Sequence, residues 1–404
     1  MLAASLLAAV LIQAAGQSTA RPPDPGLAER SRAGKELMAA GRYAEAAAAY
    51  RELVRAMPGN AGLLVNLGMA LHLSGKDEEA IPPLEAGVRL DPSSLPANLF
   101  LGAARLRTGR AEAAITPLQK AVRLQPDSLE ARSMLAEALM GLERPGQAEP
   151  HLRRITQLAP TDPAAWFNLG QAYEDLAGRA FHGILEVDPE SPFALALVGE
   201  MRLEEGRRNA AFQLYRQAAV RAPAMRGLHA ALARIYKETG HADWAAIEQE
   251  RERRLGAPDC LRESLACSFA AGKYRDLVTA TADAKGLEPA YWRTRAYNEL
   301  AAQSFARLTS LPPSVHAYEW QAETARQQRR FVESIGFWRK ALALSPRDPR
   351  LLTELGVTLR MNRDLAEAER VFGEAVGIDP EAPETNFLYG DVLMAREQPA
   401  RALP

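Results

Sequence analysis

Apolar positions recur along this chain at three- and four-residue spacing, in runs separated by short polar breaks that carry Gly, which is the pattern of amphipathic helices joined by turns. The runs come in pairs, and the pairs repeat. Pro58, Pro92, Pro126 and Pro160 are evenly spaced, and the same step carries Ala46 to Ala80, Ala114 and Ala148. Gly34, Gly68, Gly102 and Ala136 stand at a fixed distance before those alanines, and Tyr50, Leu84, Leu118 and Leu152 stand one helical turn after them. Gly41, Gly75 and Gly109 divide each unit in two, so each unit predicts a helical hairpin. Small residues at the Gly34 and Ala46 positions let the two helices approach closely, and the large residue at the Tyr50 position fills the space against the next unit. The closing Pro, preceded by Asp in Asp91-Pro92, Asp188-Pro189 and Asp379-Pro380, has no N–H with which to continue a helix.

These units resemble the tetratricopeptide repeat family, whose W-x2-L-G-x2-Y, A-x3-F and final P pattern is spelled in its first half by Trp166, Leu169, Gly170 and Tyr173. Gly199, Ala211, Tyr215, Ala218 and Pro223 fit it, as do Gly356, Ala368, Phe372, Ala375 and Pro380. The resemblance covers nearly everything from Leu27 onward. It implies an all-α fold, a right-handed α-solenoid of antiparallel helix hairpins with a concave binding face.

Departures from the period are as informative. After Trp166 the expected Ala falls on His182 and the closing Pro arrives early, at Pro189, which predicts a hairpin with a shortened second helix. The same form returns further along, where Ala172-Tyr173 through Phe181 is mirrored by Ala296-Tyr297 through Phe305. Tyr215, Ala218 and Pro223 then match Trp338, Ala341 and Pro346, which points to duplication of a larger block with the shortened hairpin as a bend. The rhythm is lost between Pro258 and Pro313, the expected hinge. The last unit starts with Asn386, Tyr389, Gly390 and Leu393 and stops inside its second helix, without the polar cap a solenoid end requires. The expectation is a longer array, or an end covered by a partner, another copy of the chain included.

The chain therefore divides into residues 1–20, read as a signal peptide; 21–26, a Pro-rich linker; 27–257, an array of about seven units; 258–313, an irregular helical segment; and 314–404, further units. The apolar run from Leu2 to Ile12 has the length of a signal-peptide core and is too short to span a bilayer, although no Lys or Arg precedes it. This predicts a periplasmic or secreted protein, with a cytoplasmic one as the alternative. Lys plus Arg number 49 against 50 Asp plus Glu, so no net field draws in nucleic acid or an anionic membrane.

Two cysteines occur, Cys260 and Cys267. On one continuous helix their Cα atoms would stand ~10.5 Å apart, beyond the ~7 Å reach of a disulfide. Either Cys260 lies in a loop before the helix and the two are bridged, or both are small buried apolar side chains. The six histidines show no metal-ligand spacing, and no phosphate loop or nucleophile motif is present, so neither a cofactor, a metal nor catalysis is expected.

Function is expected on the inner face instead. The family lines that face with positions 2, 5, 9 and 12 of each unit, which selects Val65, Met69, His72, Leu99, Ala103 and Leu106. Glu137, Phe167, Gln171, Glu174, Glu200, Leu203, Arg234, Lys237, Glu319, Glu323 and Arg326 follow along the same wall. Such a groove begins apolar and turns acidic, suiting a peptide with an apolar anchor and a basic flank. Asn66 and Asn168 share position 6, where related arrays hydrogen-bond a peptide backbone, but Phe100, Glu354 and Leu388 hold that position elsewhere, so a structural or neutral role for the two Asn is the alternative. The function implied is a scaffold binding protein or peptide segments, with no nucleic-acid partner and no stable membrane span. The alternative is the repeat portion of an enzyme, such as a glycosyltransferase or peptidase, whose catalytic domain lies beyond Pro404.

Overall fold

The computed structural model describes residues 25–402. The expected signal peptide at 1–20, most of the linker and the last two residues lie outside the described residues. Every regular element among the described residues is a helix, and no described helix is long and apolar enough to cross a membrane. The chain falls into two compact units, one up to Pro160 and one from Thr161. Both are built of antiparallel helix hairpins in the all-α solenoid manner.

The first unit contains four hairpins. α1 (Pro25–Ala39) pairs with α2 (Tyr43–Ala56), α3 (Ala61–Leu73) with α4 (Asp77–Leu90), α5 (Leu95–Arg107) with α6 (Ala111–Leu124), and α7 (Leu129–Gly141) with α8 (Pro145–Leu158). The period sets both ends of the helices. Asn60, Ser94 and Ser128 cap α3, α5 and α7, each side chain accepting from the N–H three residues on, which satisfies a donor that a helix start leaves open. The turn inside each hairpin needs one residue with positive φ, supplied by Gly41, Gly75 and Gly109 and then by Glu143 at 54°. Between the helices, Leu84 lies over Gly68 and Leu118 over Gly102. A Cβ on either glycine would collide with the leucine Cγ, so no other residue permits this approach.

The second unit opens with α9 (Pro163–Val187), 25 residues without a break. α10 (Pro192–Glu204) and α11 (Arg208–Arg221) form a hairpin, as do α12 (Leu228–Glu238) and α13 (Ala242–Arg254). The short α14 (Ser264–Ala270) and α15 (Tyr274–Thr281) lead to α16 (Leu287–Ser310), 24 residues long. α17 (Val315–Gln327) pairs with α18 (Phe331–Leu344), and α19 (Pro349–Met361) with α20 (Leu365–Ile378). α21 (Pro383–Ala395) follows, with α22 (Pro399–Ala402) beside it.

The two shortened hairpins take a form that the spacing alone does not show. The missing residues are those of the turn, not of the second helix. Where Gly41, Gly75 and Gly109 reverse the chain, the corresponding places hold Ala177 and Ala301, both helical, and first and second helix run on as one. α9 and α16 then pack antiparallel against each other and complete one another's hairpins. Gly170 on α9 receives Phe305 of α16, whose ring atoms would stand 2.5 to 3.0 Å from a Cβ there. Phe305 also meets Phe167 at 6.4 Å and stacks on Trp320 of α17 at 5.1 Å. At the other end Ile184 of α9 joins a core with Tyr291, Trp292 and Ala296 of α16 and with α10, α11 and α12. Midway, Tyr173 and Tyr297, equivalent residues of the two copies, stack at 6.1 Å.

The segment 258–313, expected to be irregular, thus contains a long regular helix preceded by a loop and two short ones. Cys260 lies in the loop and Cys267 on α14, with Sγ atoms 2.01 Å and Cα atoms 5.6 Å apart, so of the two readings the bridge is the one observed. Arg226 holds the same loop, donating to the carbonyls of Leu255, Gly256 and Ala257 and pairing with Glu263.

Candidate interaction surfaces

In the first unit the inner-face positions are mostly closed. Val65, Met69, His72 and Leu99 are each buried, and Ala103 is buried with them. Val65 packs on Gly87 of α4, and the His72 ring meets Phe100 of α5 edge-on at 5.5 Å. Asn66 and Leu106 are half-buried and Glu137 is exposed. The reason is polar as well as steric. His72 Nδ1 pairs with Asp77 Oδ1, Arg107 Nε lies 3.1 Å from Asp77 Oδ2, and an Arg107 Nη reaches the His72 carbonyl at 3.3 Å. Burial keeps the His72 imidazole below its ordinary range against the pull of Asp77. This cluster locks α3, α4 and α5 together and leaves no continuous apolar wall there.

In the second unit, the helix pair cuts the expected wall in two. Phe167, Gln171 and Glu174 lie on the first half of α9, and the neighbouring first helix is α17, which brings Glu174 and Glu323 to one face from distant parts of the sequence. Glu200 and Leu203 on α10 and Arg234 on α12 belong to a different face, with Tyr291 and Arg295 of α16.

The face formed by α9, α17 and α19 carries the clearer chemistry. Phe167 stacks on His316 at 5.1 Å, and Gln171 donates to Glu174 Oε2 at 3.1 Å. Asn168 is exposed on the same helix. Across the helices most charges are matched. Glu319 takes both guanidinium nitrogens of Arg350, Arg326 pairs with Glu354 at 2.5 Å, and Arg360 pairs with Asp391. Burial opposes ionisation of Glu319, yet His316 and Arg350 hold its carboxyl below the usual range. Glu174 and Glu323 form no ion pair among the described residues. Glu174 keeps contact with solvent at the surface, but partial desolvation by the protein around it, with Glu323 and Asp175 nearby, pushes its carboxyl up to about 7. Burial also raises Glu323, opposed by Arg326 and reinforced by Glu319 and Glu354.

The other face encloses about 210 Å³, lined by Ala196, Glu200, Leu203, Arg234, Tyr291 and Arg295 among others. Arg295 lies over the Phe269 ring at 4.5 Å, and its Nε is 3.9 Å from Glu200 Oε2. This part of the array ends at α13. The positions that are Tyr215 and Ala218 in the preceding hairpin are Gln249 and Glu252 here. Glu252 accepts from the N–H groups of Gly227 and Ala230, and Glu248 is buried against His229 at 2.6 Å. A second helix so polar offers no seat for another repeat, which explains the lost rhythm after residue 257. These two polar substitutions, and the A-x3-F motif recurring at Ala177/Phe181 and Ala301/Phe305, were the available sequence signals for the division.

Two family profiles, both described as tetratricopeptide repeat, match residues 31–95 and 290–349, and 105–173. No curated protein matches significantly. Among solved structures, the chain is similar to a MamA protein at 22% identity, covering 49% of this chain and 92% of that one with a TM-score of 0.35. It is similar to YrrB, titled a TPR protein with an unusual peptide-binding site, at 19% identity over 53% and 95% of the chains with a TM-score of 0.30. A tetratricopeptide repeat protein from Parabacteroides merdae is 12% identical over 83% and 100%, with a TM-score of 0.38. The matched profiles and the repeating hairpins together show that this chain belongs to the tetratricopeptide repeat family.

Proposed function

We propose that the chain is a protein-interaction scaffold, and that the face of α9, α17 and α19 binds a protein segment with a Lys or Arg beside an apolar residue. The observation that carries this is the pair Glu174 and Glu323. On a face where Glu319 and Glu354 each have an arginine, these two carboxylates form no ion pair among the described residues, and both are pushed above the usual carboxylate range. A cation placed beside them offsets the cost of ionising them, and Phe167 offers the adjoining apolar contact. The test is a display library of random peptides selected on the wild type and on Glu174→Gln with Glu323→Gln. Wild-type selection is expected to enrich Lys or Arg next to an aromatic or aliphatic residue, with affinity falling at least tenfold on the double variant. Equal binding to both proteins would remove this face from consideration.

We also propose export from the cell, supported by the apolar run Leu2–Ile12 and by the Cys260–Cys267 bridge, which an oxidising compartment sustains. Sequencing the amino terminus of the protein recovered from its native host tests this, since a chain beginning at Met1 contradicts cleavage.

A further inference from the structure

We propose that residues 177–300 are an arm inserted into the middle of one repeat, and that the repeat it interrupts and those that follow it form an array that stands without it. The first half of α9 supplies Trp166, Leu169, Gly170 and Tyr173, and the second half of α16 supplies Ala301, Phe305 and Leu308 before Pro313. Read together, these spell one complete repeat. The contact that defines a hairpin in this chain gives the same register. Leu84 enters at Gly68, Tyr215 at Gly199 and Phe372 at Gly356, each within its own hairpin, whereas Gly170 takes its aromatic from Phe305 on the far side of the arm. The remaining halves make a second repeat from Thr294 and Tyr297 with Ala177, Phe181, Ile184 and Pro189. The stretch excised, 177 to 300, is as long as the offset between the copies that carries Tyr173 to Tyr297.

The packing follows the same division. One core gathers Ile184, Tyr215, Leu228, Leu277 and Trp292, another gathers Trp338, Leu355, Phe372 and Val392, and the two share no residue. Phe305 belongs with Phe167 and Trp320, while Phe181 packs against the first of these cores. Each long helix is thus one continuous backbone serving two cooperative units, with the Tyr173–Tyr297 stack at the boundary. The arm leaves and re-enters at adjacent points on an antiparallel pair, so its removal leaves no gap to span. That the continuous array keeps its ligand in the shortened chain rests on the binding reading above.

Hydrogen exchange on the full chain decides the matter. Phe305→Ala is expected to speed exchange at least a hundredfold in residues 163–175 and 301–310, leaving 177–187 and 287–300 near wild type, and Phe181→Ala is expected to do the converse. Exchange that rises evenly along α9 and α16 in both variants would overturn the proposal. A second protein joins Leu176 to Ala301 through the sequence Gly-Arg-Ala-Glu-Ala, which is the turn at 109–113. It is expected to melt cooperatively and to bind a basic peptide selected on the full chain within twofold. If it folds but does not bind, the binding reading fails and the inserted arm stands. If it does not fold and exchange is also undivided, the arm fails.

Discussion

Gly170 and Phe305, far apart in sequence, occupy the places that Gly68 and Leu84 occupy within a single hairpin. The pairing is tight enough to predict opposite effects of one substitution at two glycines of the same helix. Gly170→Ala puts a methyl 2.5 Å from the Phe305 Cζ, and overpacking of this kind costs about 1–3 kcal/mol. Gly178→Ala has nothing within 4 Å and gains helix propensity, a stabilisation of about 0.5–1 kcal/mol. Urea denaturation of both variants checks the pair, and Phe305→Leu is expected to recover part of the Gly170→Ala loss.

The His72–Asp77–Arg107 cluster predicts an asymmetric response to truncation. Asp77→Ala leaves the buried imidazole without its partner and is expected to cost about 1–3 kcal/mol, seen as a lower midpoint in denaturant. Arg107→Ala, at a half-exposed side chain, is expected to cost well under half as much.

Glu174 predicts a pH dependence with a definite sign. Its carboxyl has a folded value of about 7, raised above 4.5. Its contribution to stability is therefore complete below 4.5 and is lost as pH rises through about 7. A cationic ligand prefers the ionised form, so affinity rises over the same window and levels off above it. Carbon-detected NMR titration of Glu174 in free and bound protein reads this directly, with the bound value lower. Glu174→Gln is expected to flatten the step.

The disulfide closes a short loop, so its removal acts locally. Cys260→Ser with Cys267→Ser is expected to cost about 2–3 kcal/mol on loop-closure grounds. Hydrogen exchange should rise in residues 258–270, where Arg226 still holds the loop, and stay unchanged in α17–α20.

The helical hairpin was legible from the regular step of the repeat because each recurring residue answers one local demand. Gly at 41, 75 and 109 allows positive φ, Pro ends the unit, and Gly68 makes room for Leu84. The motif at Trp166 was legible too, but its partner was not, since a fused helix hides its contact on the far side of the inserted stretch. Two cues were present and local. Ala177 and Ala301 stand where a turn needs Gly, and Gln249 and Glu252 stand where a further repeat needs apolar residues. Position assigned Phe167, Gln171, Glu174 and Glu323 to one wall, and the structure sets the helices that carry them, α9 and α17, side by side. Position alone did not reveal that Val65, Met69, His72 and Leu99 would be buried, or that Asp77 would hold His72.

The fused helices also impose an order in time. An ordinary repeat of this kind closes as soon as its own two helices exist, because all its contacts are local. The repeat begun by Trp166 has to wait for Phe305. At ~5–20 residues per second of synthesis that interval is on the order of 7–27 s, during which Gly170 and its helix face have no native cover. The arm must be made, and its ends brought together, before that repeat can close.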